Sequence, residues 1–346
     1  MGEESARLGR LDGLRGLAAC VVAFAYHSQN LFVQGRFADA GPVASWFHTW
    51  GWTFVDLFFL ISGYIFAHVY LRPGQLTEGK GLGDFVVARI ARLYPLHLIV
   101  LLVTAALFWA KPENTTAAFI ANLLMLQGFL GDFAQNFNGP SWSITVECIC
   151  YLVFAAGAVA GRRVLGWVTL VAIAWAIGQL VLNGNTGGPW IADAFPRGLL
   201  GFFLGQTLWR YRSALSRVPS AVLVALLIAG VVVPVAPWSP LLPLCIVAWP
   251  AALLLGLRLQ ALESKPMLWL GDRSYSIYMV HMLLLDSALK FMGQFDGGLA
   301  VAIAVHAGFV AVTLMLADAV LWRIEHPARR AIRQAWQRRS ARLAVA

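Results

Sequence analysis

Residues 87–110 read VARIARLYPLHLIVLLVTAALFWA. Arg89 and Arg92 open the stretch, and no Asp, Glu, Lys or Arg follows them. At 1.5 Å of rise per residue, about 20 apolar residues match the ~30 Å hydrocarbon core of a bilayer. The stretch therefore predicts a membrane-spanning helix with its charges held at one water boundary.

The same pattern recurs along the chain. The spanning candidates are 12–34, 50–71, 87–110, 141–160, 163–182, 191–209, 218–234, 240–258, 268–291 and 298–322, with 115–131 ambiguous. Of 346 residues, 59% are hydrophobic and 12% charged. A soluble domain carries roughly 25% charged residues, so polar surface is too scarce here to cover a water-soluble globule. The expected fold class is all-α: a polytopic membrane helix bundle of about ten transmembrane helices. Residues 1–322 form the transmembrane domain and 323–346 a basic cytoplasmic tail.

The positive-inside rule orients the bundle. With Arg7 and Arg10 cytoplasmic, the next inner loop holds Arg72 and Lys80, with Arg89 and Arg92 at the following helix start. If 115–131 does not span, Arg162, Arg163, Arg210, Arg212, Arg217, Arg258, Lys265 and Arg273 also fall inside. Arg36, Lys111 and Lys290 then remain outside. This predicts both termini in the cytoplasm and makes 115–131 an interfacial or re-entrant helix packed on protein. Arg7, Arg10, the apolar run 17–25 and Ala38-Asp39-Ala40 also outline a signal peptide. Asp12, Arg15 and His27 are out of place in a disposable segment, so the segment is read as the first span.

The net charge of +9 sits in loops and the tail. It fits orientation and contact with anionic membrane lipids, not a nucleic-acid surface. Cys20, Cys148, Cys150 and Cys245 lie in apolar stretches without zinc spacing, so no metal is expected.

Ionisable groups inside spans cost several kcal/mol and mark function. His27 and His281 lie about 20 Å from the cytoplasmic ends of their helices, and Asp56 and Glu147 about 9 Å below the outer ends of theirs. All four fall at one level, which predicts a site. Ser143, Glu147 and Tyr151 form a polar stripe at i, i+4, i+8, and Ser274 and Tyr278 share the stripe of His281. At the other face Arg89 and Arg92, at i and i+3, present guanidinium forks suited to phosphate, with Arg15 at the cytoplasmic end of the first helix.

Six motifs in order resemble acyltransferase family 3, membrane proteins that O-acylate polysaccharides, lipopolysaccharide and some secondary metabolites. They are Leu11-Asp12-Gly13-Leu14-Arg15-Gly16-Leu17-Ala18-Ala19 with His27, Phe54-Val55-Asp56-Leu57-Phe58-Phe59-Leu60-Ile61-Ser62-Gly63-Tyr64, Arg89-Ile90-Ala91-Arg92-Leu93-Tyr94-Pro95, Ser141-Trp142-Ser143-Ile144-Thr145-Val146-Glu147, Ser274-Tyr275-Ser276-Ile277-Tyr278-Met279-Val280-His281 and Ile324-Glu325-His326-Pro327. The resemblance implies acyl-CoA as co-substrate with no permanently bound cofactor. It also implies His27 as an essential group, and Arg89, Arg92 and Arg15 at the donor. Eleven residues, Gly16–Tyr26, separate Arg15 from His27, one more than the family pattern. On an ideal helix the extra residue turns the pair from ~20° to ~120° apart. Either the helix carries a bulge there or Arg15 leaves the face of His27. Cys148 stands where relatives often place a second carboxylate.

The expected chemistry is acyl transfer to a hydroxyl of an envelope or extracellular glycan or glycolipid, in a bacterial inner membrane. His27 acts as base, Glu147 or Asp56 orients it, and His281 belongs to the same catalytic group. Trp142, Ser143, Tyr151 and Tyr278 are assigned to the acceptor side. The competing readings are a proton-coupled transporter, which also needs intramembrane His, Asp and Glu, and an acyltransferase acting on a small secondary metabolite. The lack of a detectable inverted repeat argues against the transporter.

Overall fold

The computed structural model describes residues 2–33, 41–72, 76, 81–129, 136–184, 193–233 and 238–345. Arg36, Lys80, Ala38-Asp39-Ala40 and residues 130–131, all singled out above, lie outside that set. The α-helices in chain order are α1 (Gly2–Cys20), α2 (Pro42–Trp50), α3 (Phe54–Tyr70), α4 (Leu82–Phe108), α5 (Thr116–Leu123), α6 (Trp142–Val159), α7 (Arg162–Asn183) and α8 (Ala194–Arg210). There follow α9 (Arg212–Leu215), α10 (Ser220–Val232), α11 (Leu241–Pro243), α12 (Trp249–Gly256), α13 (Lys265–Met292), α14 (Leu299–Val320) and α15 (His326–Val345). The described residues hold no named strand, and one isolated bridge joins Phe32 to Phe295.

Among the described residues, five helical segments are long and apolar enough to cross a membrane: Pro42–Tyr70, Leu82–Phe108, Gly139–Val159, Arg162–Asn183 and Leu299–Arg342. Ser220–Val232 and Leu241–Gly256 are shorter apolar helices. Among the described residues the ambiguous 115–131 stretch holds the eight-residue α5, started by the Thr115 hydroxyl accepting from the Ala118 N–H at 3.1 Å, and a short 3₁₀ helix, Gln127–Phe129. Eight residues rise about 12 Å, well short of the hydrocarbon core. The first stretch is not one regular helix. After Cys20 it becomes a π-helical turn, Val21–Tyr26, and then a 3₁₀ helix, His27–Leu31. This is the bulge alternative raised by the Arg15–His27 spacing, since a π turn absorbs one extra residue. The basic tail is the helix α15, joined to α14 through a second π turn, Leu321–Glu325.

The chain divides into two compact units. The first comprises Met1–Tyr26, Ala40–Lys80 and Thr145–Ser274. Its tightest seam joins α3 and α8. A Cβ at Gly63 would sit 1.8 Å from the Phe202 carbonyl oxygen, and one at Gly205 2.0 Å from that of Leu60. Only glycine lets these backbones meet, and dispersion across such close seams is what holds helices together in lipid. Leu57, Leu60, Ile61, Leu200, Leu244 and Leu253 fill the core around it.

The second unit comprises His27–Asp39, Gly81–Ile144 and Tyr275–Ala346. Here α4 runs parallel to α13. The Tyr275 hydroxyl donates to the Leu93 carbonyl at 2.7 Å, and fifteen residues further on the Lys290 ammonium donates to the Leu107 carbonyl. The two helices thus advance in step. In contrast, α15 runs antiparallel to the start of α4: Arg329 lies in the field of Arg92 and Arg89, and the Trp336 indole donates to Asp84 at 2.6 Å. A Cβ at Gly83 would sit 2.5 Å from the Trp336 ring, so the glycine admits the indole that docks the tail.

Candidate active site

The second unit brings His27 and His281 together. His27 opens the 3₁₀ helix immediately after the π turn, and His281 is fully buried on α13. The Nδ1 of His281 lies 3.1 Å from the Ile277 carbonyl oxygen, and its Nε2 lies 2.9 Å from Nδ1 of His27. A carbonyl can only accept, so the proton of a neutral His281 is on Nδ1. Its Nε2 then accepts, and Nδ1 of His27 donates. In the neutral pair the lone pair of His27 therefore resides on Nε2. A backbone carbonyl thus sets the tautomer of the first-helix histidine through one intervening ring.

Ser143 and Tyr278 lie in the same unit. Their hydroxyls are 2.9 Å apart, and each also reaches the Pro140 carbonyl at 3.0 Å. The Asn138 amide donates to the Met279 carbonyl at 3.2 Å, which stitches the approach to α6 onto α13. The Tyr278 ring stands 5.9 Å from that of His281. Trp142 is the first residue of α6 and is half-buried.

Asp56 and Glu147 have different partners from those expected. In the first unit Asp56 accepts from Arg197 Nε at 2.8 Å, with both side chains essentially inaccessible. The guanidinium also packs 4.3 Å over the Trp52 ring. Asp56 is therefore the counter-ion of a buried arginine. Glu147 accepts from the Ser62 hydroxyl at 2.9 Å and from the Tyr151 hydroxyl one helical turn along. Within the second unit, the ring nitrogen beside His27 Nδ1 is that of His281.

Arg15 binds the Ser274 hydroxyl through Nε at 2.9 Å and the Gly271 carbonyl at 3.2 Å, and pairs with Asp12 at 3.1 Å. Its fork ties α1 to the first turns of α13. Arg89 and Arg92, half-buried on α4, are joined in the second unit by Arg329 and Arg333 of α15. Glu325, in the π turn before α15, pairs with Arg329 at 3.6 Å and accepts from the Ser276 hydroxyl on α13. Among the described residues no group of three or more His, Cys, Asp or Glu is placed to hold a metal ion.

Arg197 is not singled out in the sequence reading, and Ser62, Ser276 and Glu325 stand there in motifs without the partners the structure gives them. Arg197 had a usable signal, a charge inside an apolar span, which has to find a partner. The bonds of Ser62 and Ser276 follow from helix neighbours that spacing along one helix does not reveal.

A family model described as "Acyltransferase domain", of the acyltransferase 3 type, matches residues 8–318. The acyltransferase MdmB of Streptomyces mycarofaciens is 29% identical over 327 residues, covering 83% of this chain and 81% of that protein. Nodulation protein 10 of Rhizobium leguminosarum bv. viciae is 26% identical over 334 residues, 82% of this chain and 85% of its own length. The peptidoglycan O-acetyltransferase OatA of Listeria monocytogenes is 26% identical over 160 residues, 42% of this chain and 23% of that protein. No solved structure matches the chain.

Proposed function

The chain belongs to acyltransferase family 3 and is a membrane O-acyltransferase; from that premise we propose that it moves an acyl group, acetyl in the simplest case, from cytoplasmic acyl-CoA to a hydroxyl of an envelope or extracellular glycan or glycolipid. The observation that carries this reading is the His27–His281 hydrogen bond, anchored on the Ile277 carbonyl. It leaves a basic nitrogen, His27 Nε2, of fixed tautomer. The acceptor hydroxyl gives its proton to that nitrogen as its oxygen bonds to the thioester carbonyl carbon. The C–S bond then breaks, and the sulfur departs as the CoA thiol, taking the proton from His27. A positioned base of this kind contributes about 10²–10⁴-fold. His281 touches no reacting atom in this scheme. It holds the ring and accepts from Nδ1–H while Nε2 is protonated.

Arg89 and Arg92 receive the phosphates of the donor through forked hydrogen bonds. The pinned register of α4 and α13 supports this division of labour. Arg89 to Leu93 rises about 6 Å, and Tyr275 to His281 about 9 Å. A thioester on an extended pantetheine arm covers a span of ~15 Å, so the donor stays at the cytoplasmic face while its acyl group reaches His27. The name of the Listeria relative, a peptidoglycan O-acetyltransferase, favours acetyl as the group and a glycan as acceptor.

About ten spans with both termini cytoplasmic, in a bacterial inner membrane, complete the proposal. The parallel run of α4 and α13 supports it. With 115–131 outside the count, an even number of crossings separates their starts and both point the same way. Counting that stretch as a span would make them antiparallel. The test is incorporation of isotope-labelled acetyl from acetyl-CoA into envelope glycans, read by mass spectrometry in membranes carrying the wild type or His27→Ala. The variant should insert normally and transfer no label above background. Wild-type transfer by His27→Ala removes His27 from the mechanism.

A further inference from the structure

We propose that Arg329, on the C-terminal helix, is a third arm of the anion site begun by Arg89 and Arg92, and that Glu325 is the carboxylate it leaves when phosphate oxygens arrive. The inference rests on the reading of Arg89 and Arg92 as the donor site and extends it to a helix that charge alone assigns to the membrane surface.

Four observations converge. First, Arg329 lies in the field of three like charges, Arg92, Arg333 and Arg89, and of one opposing charge, Glu325. A phosphate group there would offset the like charges that act on Arg329. Second, Arg329 is only partly satisfied. Its contact with Glu325 is long, 3.6 Å, and its Nε is buried and makes no hydrogen bond among the described residues. A guanidinium presents five donors in a fixed fork, so the buried Nε–H is a donor whose hydrogen bond an anionic oxygen would supply.

Third, the cluster is built, since α15 is fixed at two places. Trp336 donates to Asp84 beside the Gly83 notch, and Glu325 takes the Ser276 hydroxyl from α13. A tail serving only as a lipid anchor needs neither lock. Fourth, the neighbours of Arg329 differ. Arg330, next in sequence and carrying the same charge, is exposed, whereas Arg329 is turned inward with 24% of its side chain accessible. Ser276 lies five residues, about 7.5 Å along the axis, from His281. The carboxylate that Arg329 would release thus bonds directly to the helix that carries the positioning residue His281.

Phosphate oxygens could come from the donor nucleotide or from an anionic lipid headgroup, and the experiment separates them. The full-length protein is purified in detergent and reconstituted in phosphatidylcholine, with or without phosphatidylglycerol. Binding of desulfo-CoA and the KM values for acetyl-CoA and for acceptor are then measured. Arg329→Gln should weaken desulfo-CoA binding and raise the donor KM ten-fold or more in both lipid mixtures, with the acceptor KM unchanged. Arg330→Gln removes the same charge and should change donor binding less than two-fold. Arg329→Lys should recover only part of the loss, since an ammonium lacks the fork. Glu325→Gln keeps a hydrogen-bond partner for Ser276 and should tighten donor binding two-fold or more, which also covers the case in which Arg329→Gln fails to fold.

If Arg329→Gln and Arg330→Gln behave alike, Arg329 is a surface charge and the proposal fails. If Arg329→Gln alters only the response to phosphatidylglycerol, the site is a lipid headgroup site and the donor assignment of Arg329 is overturned. If Arg89→Gln and Arg92→Gln weaken desulfo-CoA binding but Arg329→Gln does not, only the third arm falls. If none of the three weakens it, the donor reading itself falls.

Discussion

Two polar pairs, Asp56–Arg197 in the first unit and His27–His281 in the second, are built differently. Asp56 and Arg197 form an ion pair at 2.8 Å, sealed from solvent and capped by the Trp52 ring. His27 and His281 are joined ring nitrogen to ring nitrogen at 2.9 Å, anchored on a carbonyl at one end. The ion pair neutralises itself, so removing either charge leaves the other stranded. The histidine pair has a direction, running from carbonyl to His281 to His27. An intramembrane charge marks a place where structure or chemistry demands it, and its partner decides which. By that criterion the proposal assigns Asp56 to the scaffold and His27 to the reaction.

The comparison can be broken most directly at its two ends. His27→Ala should cost about 10²–10⁴ in acyl transfer while the amount of folded protein in the membrane stays at the wild-type level. Arg197→Ala or Asp56→Ala should do the reverse. Stranding one charge of a buried pair costs roughly 3–5 kcal/mol, so the thermal midpoint and the folded yield should fall, and activity only in proportion. The double replacement Asp56→Leu with Arg197→Met removes both charges and should recover most of the lost stability. If the double variant folds well but is inactive, Asp56 is a participant in the chemistry and the division drawn here is wrong.

A smaller effect sharpens the donor side. Arg89→Lys and Arg92→Lys keep the charge and lose the fork. Each should raise the KM for acetyl-CoA about ten-fold, the loss of one charge-assisted contact of ~1.5–3 kcal/mol. The acceptor KM, measured at saturating donor, should hardly move. Unchanged donor kinetics in both Lys variants would make these residues membrane anchors.

Much of this was legible in the sequence. The apolar runs and the scarcity of charge gave the helical membrane class, because lipid admits few alternatives. The one-residue excess between Arg15 and His27 was a local signal, and it corresponds to the π turn Val21–Tyr26. The individual histidines and the Arg89–Arg92 pair stood out because charged and polar groups are rare inside spans.

What could not be read was partnership. Glu147 or Asp56 was the expected partner of His27, and spacing along one helix does not reveal its contact with His281. Arg197 was overlooked in an otherwise apolar stretch, although an arginine there requires a counter-ion. Arg329 was merged with Arg330 and Arg333 into one basic tail. Composition is blind to which side of α15 faces α4, and Trp336 and Gly83 settle that by fit.

The central claim is that His281 makes His27 a base by holding its tautomer. The measurement that tests it most directly is kcat for acetyl transfer by His281→Gln and His281→Ala, at saturating donor and equal amounts of folded protein. The Gln side-chain carbonyl can stand where His281 Nε2 stands and accept from His27 Nδ1–H, whereas Ala offers no acceptor. The account predicts that His281→Gln keeps kcat within about ten-fold of wild type, while His281→Ala falls toward the His27→Ala level, a loss of about 10² or more. Equal kcat in the two variants, whether both high or both low, would contradict it.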